Sequence, residues 1–300
     1  MGSPDISVPF LDFLHEKSCE LAVFTQKDKV RSRGKKTFPT AVSKRAEQLG
    51  LPVYKLSVKS EEAFNIINSF KPDIFLVVAY GQIIPSQTLD IPGLYPLNVH
   101  FSLLPEYRGA TPVNTALLEG KTVTGTTIMI MDKGLDTGNI LLSEKCDIDP
   151  SDNATTLFQK LVSLSLNVLA ENWTAICDGT LESKPQSGEI SHTKLIKKND
   201  LIIDFNRNSE SVNNQIRAYN FEPGTKTFFR NKTLFIEQAE NIPDINGHPG
   251  EILSVDKRSF TVACKEGAIK ILSVKPESGK SMSSGAFING HKPFPGEKLG

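Results

Sequence analysis

The continuous apolar run at residues 74–80 constrains the fold of this chain more than any other stretch. It contains no polar alternation, which is typical of a parallel strand buried on both faces. Segments with helical spacing precede it at residues 42–49 and 61–70 and follow it at residues 113–118 and 155–178. Because strands that alternate with helices form parallel sheets, we predict a doubly wound, mostly parallel α/β sheet.

The second part of the chain follows a different pattern. Short runs rich in β-branched and aromatic residues recur after residue 225, which is typical of a small barrel, although a small packing domain would share the pattern. A length of 300 residues also exceeds what one core usually spans. We therefore predict a catalytic domain at residues 1–183, a linker at residues 184–200 and a β-rich domain at residues 201–300.

Composition and charge limit the possible classes of function. No run approaches the roughly 20 apolar residues of a membrane span, and the four cysteines form no Cys-x-x-Cys pair. We therefore expect no membrane partner, no disulfide framework and no metal. Residues 1–190 carry 18 Lys and Arg against 22 Asp and Glu, whereas residues 191–300 carry 16 against 12. The basic second part is one indication of a polyanionic partner.

Two polar residues in an otherwise apolar strand carry the candidate chemistry. Side chains alternate along a strand, so Asn98 and His100 project from the same face. An amide donor beside an imidazole suits a negative charge developing on a carbonyl oxygen, and a carboxylate such as Asp136 can orient the imidazole. This set predicts transfer at a carbonyl group without a covalent nucleophile on the protein. The same spacing also fits an ordinary hydrogen-bonded pair at the surface.

The order of motifs around these residues resembles a known family. The sequence LNVHFSLLP at residues 97–105 is followed by YRGA at residues 107–110 and by GLDTG at residues 134–138. This order resembles the formyltransferases that use 10-formyltetrahydrofolate, and most closely the members that act on methionyl-tRNA. The likeness runs from Gly2 to Gly300.

The resemblance implies a role for each candidate residue. Asn98, His100 and Asp136 would be catalytic. The formyl-folate co-substrate would contact two loops, at Ser102, Leu103, Leu104, Pro105, Gly134 and Leu135. Initiator methionyl-tRNA would contact basic side chains at Arg33, Lys35, Lys36, Arg108 and Arg217. For the loop around Arg33, a solvated surface without a partner is the alternative interpretation.

The resemblance also implies the reaction and its setting. It predicts an OB-like barrel for the second domain and formyl transfer to the amino group of methionine on initiator tRNA, for translation initiation. The alternatives are transfer to another amine, such as a sugar nucleotide or a purine precursor, hydrolysis of formyl-folate, and an RNA-binding relative with impaired catalysis. We expect a monomer in the mitochondrial matrix, with the bacterial cytoplasm as the alternative location.

The start of the chain differs from the family pattern. In the family a first strand ends in a Gly-Ser or Gly-Thr turn, and Gly2-Ser3 matches that turn with Met1 alone before it. A first strand normally lies near the centre of a doubly wound sheet. We therefore expect the sheet to lack this strand and to contain a gap bordered by unpaired edges.

Overall fold

The chain forms eight α-helices, two short 3-10 helices (Asp5–Ser7 and Lys198–Leu201) and fourteen strands within the described residues of this computed structural model, which are 1–30, 37–220, 223–245 and 247–300. The helices are α1 (Val8–Glu16), α2 (Ala41–Gln48), α3 (Glu61–Phe70), α4 (Ser86–Leu89), α5 (Pro112–Leu118), α6 (Ala154–Cys177), α7 (Ser209–Ala218) and α8 (Ser284–His291). The strands are β1 (Val23–Phe24), β2 (Lys29–Val30), β3 (Thr37–Phe38), β4 (Val53–Tyr54), β5 (Ile74–Val77), β6 (Tyr95–His100), β7 (Val123–Ile130), β8 (Ile140–Asp147), β9 (Thr225–Phe229), β10 (Lys232–Ile242), β11 (Ile252–Val255), β12 (Phe260–Ala263), β13 (Ala268–Pro276) and β14 (Met282–Ser283).

The first of two compact units comprises Met1–Gly109, Thr124–Asp147 and Phe158–His192. Its main sheet has two parts, in which β1 pairs with β4 and β5, β6, β7 and β8 follow one another. The β1–β4 and β5–β6 pairs are parallel, and β6 and β7 are antiparallel. The prediction of a mostly parallel α/β sheet is therefore confirmed.

Met1 and Gly2 lie between the two parts of this sheet. The amino group of Met1 donates to the carbonyl oxygen of Leu76 at 2.6 Å, and the amide of Val78 donates to the Met1 carbonyl at 2.9 Å. On the other side, the Gly2 amide donates to the Phe24 carbonyl at 3.1 Å. A cavity of about 50 Å³ lies beside them. Where the sequence predicts a gap, these two residues bridge β1 and β5.

Helix α3 shows how local sequence sets the boundaries of the elements. Its first turn is capped by Ser60, whose Oγ accepts a hydrogen bond from the Ala63 amide at 3.2 Å. The helix ends at Lys71, which has a left-handed φ of 50°. Ala63 and Ile67 are buried and pack in the same cluster as Phe75 of β5. The cap, the stop and the buried face together explain why the predicted helix at residues 61–70 is confirmed.

The second compact unit comprises Ala110–Val123, Ile148–Leu157 and Thr193–Gly300. Its sheet has the order β11-β12-β13-β10-β9, and β14 pairs with β13. The end of the chain joins the two edges of this sheet. Lys298 pairs with Glu251 beside β11, and Leu299 pairs with Phe229 of β9. These bridges cover one end of each edge strand, and the predicted strand-rich second domain is confirmed.

The compact units differ from the predicted domains because each is made of several separate segments. Residues 184–192 belong to the first unit, where Lys184 pairs with Ile140 and His192 pairs with Arg108. The predicted linker therefore begins with a segment that packs on its own unit. Sequence patterns are local, so a Pro- and Gly-containing stretch that packs against distant strands resembles a free linker.

Candidate active site

Strand β6 places Asn98 and His100 in the middle of the sheet of the first unit. It lies between β5 and β7, with Asn98 opposite Met129 and His100 opposite Thr127. Residues two apart in a strand share a face, so the two polar side chains project together. Leu97, on the other face, is fully buried in the core. Burial of Leu97 on one face of β6 thus fixes the direction in which Asn98 and His100 project on the other face.

The imidazole of His100 is enclosed, with 6% of its side chain exposed. Its Nε2 atom lies 3.0 Å from the carbonyl oxygen of Tyr107. A carbonyl only accepts, so Nε2 carries the proton and donates it. Its Nδ1 atom lies 3.7 Å from Oδ2 of Asp136. Burial lowers the pKa of His100, and the Asp136 charge and the Tyr107 carbonyl oppose that shift.

The loop after β6 delivers the Tyr107 carbonyl to this ring. Near its start, Ser102 donates from Oγ to the Glu106 carbonyl at 2.6 Å. The Ser102 carbonyl accepts from Oγ1 of Thr127 at 2.7 Å. The amide of Tyr107, which has a left-handed φ of 60°, donates to Oγ of Ser191 at 2.8 Å. The loop is therefore held at both ends.

Asp136 lies in a tight turn after β7. Oδ1 of Asp132 accepts from the Gly134 amide at 2.9 Å and from Oγ1 of Thr137 at 2.6 Å, which closes the turn. Asp136 itself has a left-handed φ of 53°. Its Oδ2 accepts from the Gly109 amide at 2.7 Å. The same carboxylate oxygen thus meets a main-chain donor and faces His100.

Gly138 allows this turn to lie close to β7. A Cβ atom at this position would overlap the carbonyl oxygen of Ile130. The Ile130 amide also donates to the Asn139 carbonyl at 2.9 Å, so strand and turn are in direct contact. Only glycine fits this approach without a shift of the Asp136 turn.

The Asn98 amide is available for a ligand. The side chain is partly exposed and forms no hydrogen bond with another residue in the described ranges. An amide group that has no internal partner can donate to a carbonyl oxygen of a bound molecule. Together, Asn98, His100 and Asp136 offer a neutral donor, a titratable ring and a fixed negative charge, a set that suits carbonyl transfer.

The residues predicted to contact formyl-folate lie in the two loops that hold this site. Ser102, Leu104 and Pro105 are buried, and the peptide bond between Leu104 and Pro105 is cis. Leu103 is half-buried, whereas Gly134 and Leu135 are exposed, with 62% of Leu135 accessible. Leu103 and Leu135 therefore provide the accessible apolar surface of these loops. A folate contact at this surface stays a prediction.

The residues predicted to contact tRNA have different surroundings. Arg33, Lys35 and Lys36 lie outside the described residues. Arg108, in the first unit, donates from Nε and Nη2 to Oε1 of Gln186 at 3.1 and 2.7 Å.

Arg217 lies in the second unit, where its guanidinium has internal partners. Its Nε donates to the Asp152 carbonyl at 2.6 Å, and Nη2 donates to the Asp149 carbonyl at 3.0 Å. Burial lowers its pKa, and the two neighbouring carboxylates oppose that shift. These bonds give Arg217 a role in packing helix α7, and its tRNA contact stays a prediction.

Four groups that hold the site together were not predicted from the sequence. They are the Tyr107 carbonyl, the Gly109 amide, the Ser191 hydroxyl and the Gln186 side chain. Gln186 donates from Nε2 to the carbonyl oxygens of Asp136 and Gly138, at 2.8 Å each. Its neighbours Pro185 and Gly188 indicate a loop, and nothing in the local pattern shows what the loop contacts.

Other site classes find no support among the described residues. Within those ranges, no group of three or more His, Cys, Asp or Glu side chains is placed to hold a metal ion. The four cysteines are free thiols. No helix of the described ranges combines the length and the apolar character that crossing a membrane requires.

Comparison with known proteins identifies relatives over the whole chain. Residues 2–172 match the formyl transferase family, and residues 195–292 match the formyl transferase C-terminal domain. The methionyl-tRNA formyltransferase of Geotalea daltonii is 38% identical over 100% of this chain and 97% of its own length. That of Kosmotoga olearia is 39% identical over 100% and 98%. The crystal structure of the sugar 3-N-formyltransferase WlaRD, with dTDP and 5-N-formyl-THF, has a TM-score of 0.67 at 22% identity and covers 93% of this chain and 97% of that one.

The fold, the site and these matches define a formyl-transferring enzyme, and the chain belongs to the formyl transferase family. Within that family it groups with the methionyl-tRNA formyltransferases, its relatives at 38% and 39% identity. The predicted family and enzyme class are thereby confirmed. The likeness to WlaRD concerns the fold.

Proposed function

We propose that this chain transfers the formyl group of 10-formyltetrahydrofolate to the amino group of methionine on initiator methionyl-tRNA. The observation that carries the proposal is the placement of His100, which is buried between the Asp136 carboxylate and the Tyr107 carbonyl. It lies on the same strand face as Asn98, whose amide has no partner among the described residues. Full-length relatives that are named methionyl-tRNA formyltransferases support the choice of acceptor.

In the proposed reaction the free amine of methionine attacks the formyl carbon. A bond forms between the amine nitrogen and that carbon, and the bond from the carbon to N10 of the folate breaks. One proton leaves the amine, and one is gained at N10. Negative charge develops on the formyl oxygen, where Asn98 donates a hydrogen bond and the ring of His100, when protonated, adds positive charge.

The Asp136 carboxylate supports this step through its effect on the His100 ring. Its charge, 3.7 Å from Nδ1, favours the protonated form of His100 that burial disfavours. We propose that the carboxylate also assists removal of the amine proton through a water molecule. Because Oδ2 is held by the Gly109 amide, the carboxylate stays in place while the ring gains or loses its proton.

We further propose surfaces for the two substrates. Formyl-folate would lie against Leu103 and Leu135, above the buried Ser102, Leu104 and Pro105 and beside Gly134. Initiator tRNA would meet Arg108 near the site, Arg217 in the second unit, and the basic residues Arg33, Lys35 and Lys36. No metal takes part in this scheme.

The acceptor is tested by competition. The protein is given 10-formyltetrahydrofolate labelled in the formyl carbon together with initiator methionyl-tRNA, an amino-sugar nucleotide and a purine-precursor amine at equal concentrations. The proposal predicts label on the methionyl-tRNA. Label on either small amine, or its release as formate, would instead support one of the alternative reactions, and binding of tRNA without transfer would indicate the impaired RNA-binding relative.

We propose that the protein is a monomer. We also propose that it is located in the mitochondrial matrix, with the bacterial cytoplasm as the alternative. The resemblance implies a small residue after the histidine in the common bacterial form, and Phe101 departs from it, which favours the first location. The bacterial origin of the relatives favours the second. Fractionation of the source cells with an antibody against this chain distinguishes the two locations. Light scattering at several concentrations tests the monomer.

A further inference from the structure

One side chain ties together the two loops of the site. Gln186 donates from Nε2 to the carbonyls of Asp136 and Gly138, at 2.8 Å each, and accepts at Oε1 from Nε and Nη2 of Arg108. We propose that Gln186 is a positioning residue for formyl transfer, which sets the Asp136 carboxylate through its main chain and orients the Arg108 guanidinium toward the acceptor. This inference rests on the proposed function.

The bonds to the Asp136 turn hold a conformation that the turn does not favour by itself. Asp136 has a left-handed φ of 53°, a conformation that Asp tolerates better than most residues with a Cβ atom but that still costs more than a right-handed one. The peptide carbonyls of Asp136 and Gly138 both point at the Gln186 amide. These two bonds therefore fix the turn from outside, and with it the distance of 3.7 Å between Asp136 and His100.

The bonds to Arg108 fix a cation without neutralising it. Arg108 is half-buried, and none of the carboxylates in the described ranges lies within ion-pair distance of it. Its partner at Oε1 is a neutral amide, which accepts from two nitrogens of the planar fork, and Nη1 has no partner within the described ranges. A half-buried guanidinium that keeps its full charge in a fixed direction suits an anionic substrate such as tRNA.

Only a neutral amide can serve both loops. A carboxylate at position 186 would accept from Arg108 but would repel the two carbonyls, because it has no N–H to donate. An apolar side chain would lose both sets of bonds. The chemistry of the side chain thus provides variants that separate the two functions of Gln186.

The experiment compares four variants of the full chain. Gln186→Met removes both sets of bonds. Gln186→Glu keeps an acceptor for Arg108 but neutralises its charge and loses the bonds to the Asp136 turn, and Arg108→Met keeps the Asp136 side. Ser187→Ala is the matched control, since Ser187 is the exposed neighbour of Gln186. For each protein, kcat, the KM for initiator methionyl-tRNA and the titration of the His100 ring by NMR are measured.

The expected results differ between the variants. Gln186→Met and Gln186→Glu lower kcat by about 10- to 100-fold, the usual effect of losing a residue that orients a catalytic group. In Gln186→Met, His100 titrates at lower pH, because the charged group that opposes its burial, Asp136, is displaced; the other contact of the ring, the Tyr107 carbonyl, is uncharged. Arg108→Met raises KM and leaves the His100 titration unchanged, and Ser187→Ala matches the wild type.

Other results would overturn the inference. One such result is a Gln186→Met protein with the kcat and the His100 titration of the wild type. Another is an Arg108→Met protein whose kcat falls as far as that of Gln186→Met. If Gln186→Met does not fold, a wild-type kcat in Gln186→Glu would overturn the inference instead. If the wild-type chain formylates no tRNA, the proposed function fails, while the His100 titration still tests the positioning of Asp136 separately.

Discussion

Oδ2 of Asp136 lies 3.7 Å from Nδ1 of His100, beyond hydrogen-bonding distance, and accepts its hydrogen bond from a main-chain amide instead. At this separation the carboxylate acts on the ring through its charge. Because the ring is buried, that charge is little screened by solvent. The site therefore holds His100 between two opposed influences on its pKa, burial and a nearby anion.

Loss of the Asn98 amide should reduce turnover without loss of folding. Asn98→Ala removes the donor proposed for the formyl oxygen, and removal of one such donor lowers kcat by about 10²- to 10³-fold. The matched control is Asn65→Ala, at an exposed position in helix α3. Formylation kinetics measure the effect, and circular dichroism checks the fold. Equal kcat for the two variants would contradict the role of Asn98.

Stability should depend on pH through His100. Burial lowers the pKa of His100 from its usual value of 6.5, so the unfolded chain binds a proton more readily. Its contribution to stability is therefore complete above pH 6.5 and is lost as the pH falls through that value and below. The variant His100→Gln lacks this loss. Urea unfolding of both proteins between about pH 8 and pH 5 should show the wild type losing free energy of unfolding relative to the variant. Parallel curves, or a relative gain by the wild type, would refute the assignment.

The basic loop should set the salt dependence of tRNA binding. Replacing Arg33, Lys35 and Lys36 by alanine removes three candidate phosphate contacts. Each contributes about 0.7–0.9 to the slope of log affinity against log salt concentration. Binding of initiator tRNA is measured over a range of salt concentrations, and folate binding is expected to stay the same.

The control for this loop removes three exposed lysines elsewhere, Lys44, Lys59 and Lys145, which changes the net charge of the chain by the same amount. If the control lowers the slope as much as the loop variant does, the loop makes no special contact. An unchanged affinity and slope in the loop variant would return the loop to an ordinary solvated surface.

Gly138→Ala should disturb the Asp136 turn. The added methyl group would overlap the Ile130 carbonyl, and such overpacking costs about 1–3 kcal/mol. Gly290→Ala is the control, because a Cβ there meets open space in helix α8 and removes the conformational cost of glycine, about 0.5–1 kcal/mol. Thermal unfolding should place Gly138→Ala below the wild type and Gly290→Ala level with it or above. The reverse order would show that the turn yields easily.

The sequence predicts much of this fold because its local signals agree with one another. Helical spacing predicts a helix at residues 61–70, and the Ser60 cap and the Lys71 stop give helix α3 the same boundaries in the structure. The direction of Asn98 and His100 follows from strand alternation alone. The closing of the second sheet by Leu299 was not predicted, since a bridge to Phe229 depends on contacts far apart in the chain.

The site, like the fold, was predictable where the signal is local in the sequence. Asn98, His100 and Asp136 carry distinctive side chains within motifs, and the sequence singled them out. Gly109 contributes a main-chain amide, which its residue type does not reveal. Gln186 lies in the segment between the two matched family regions, residues 2–172 and 195–292. Such contacts depend on how the loops fold onto one another, which residue type and spacing do not record.

The most direct test of the account is the rate of formyl transfer from 10-formyltetrahydrofolate to initiator methionyl-tRNA by the wild type and by His100→Ala, with equal folding confirmed by thermal unfolding. The account predicts transfer by the wild type and a rate about 10²- to 10⁴-fold lower in the variant, the usual contribution of an acid–base group. Near-normal transfer by a folded His100→Ala protein would contradict it.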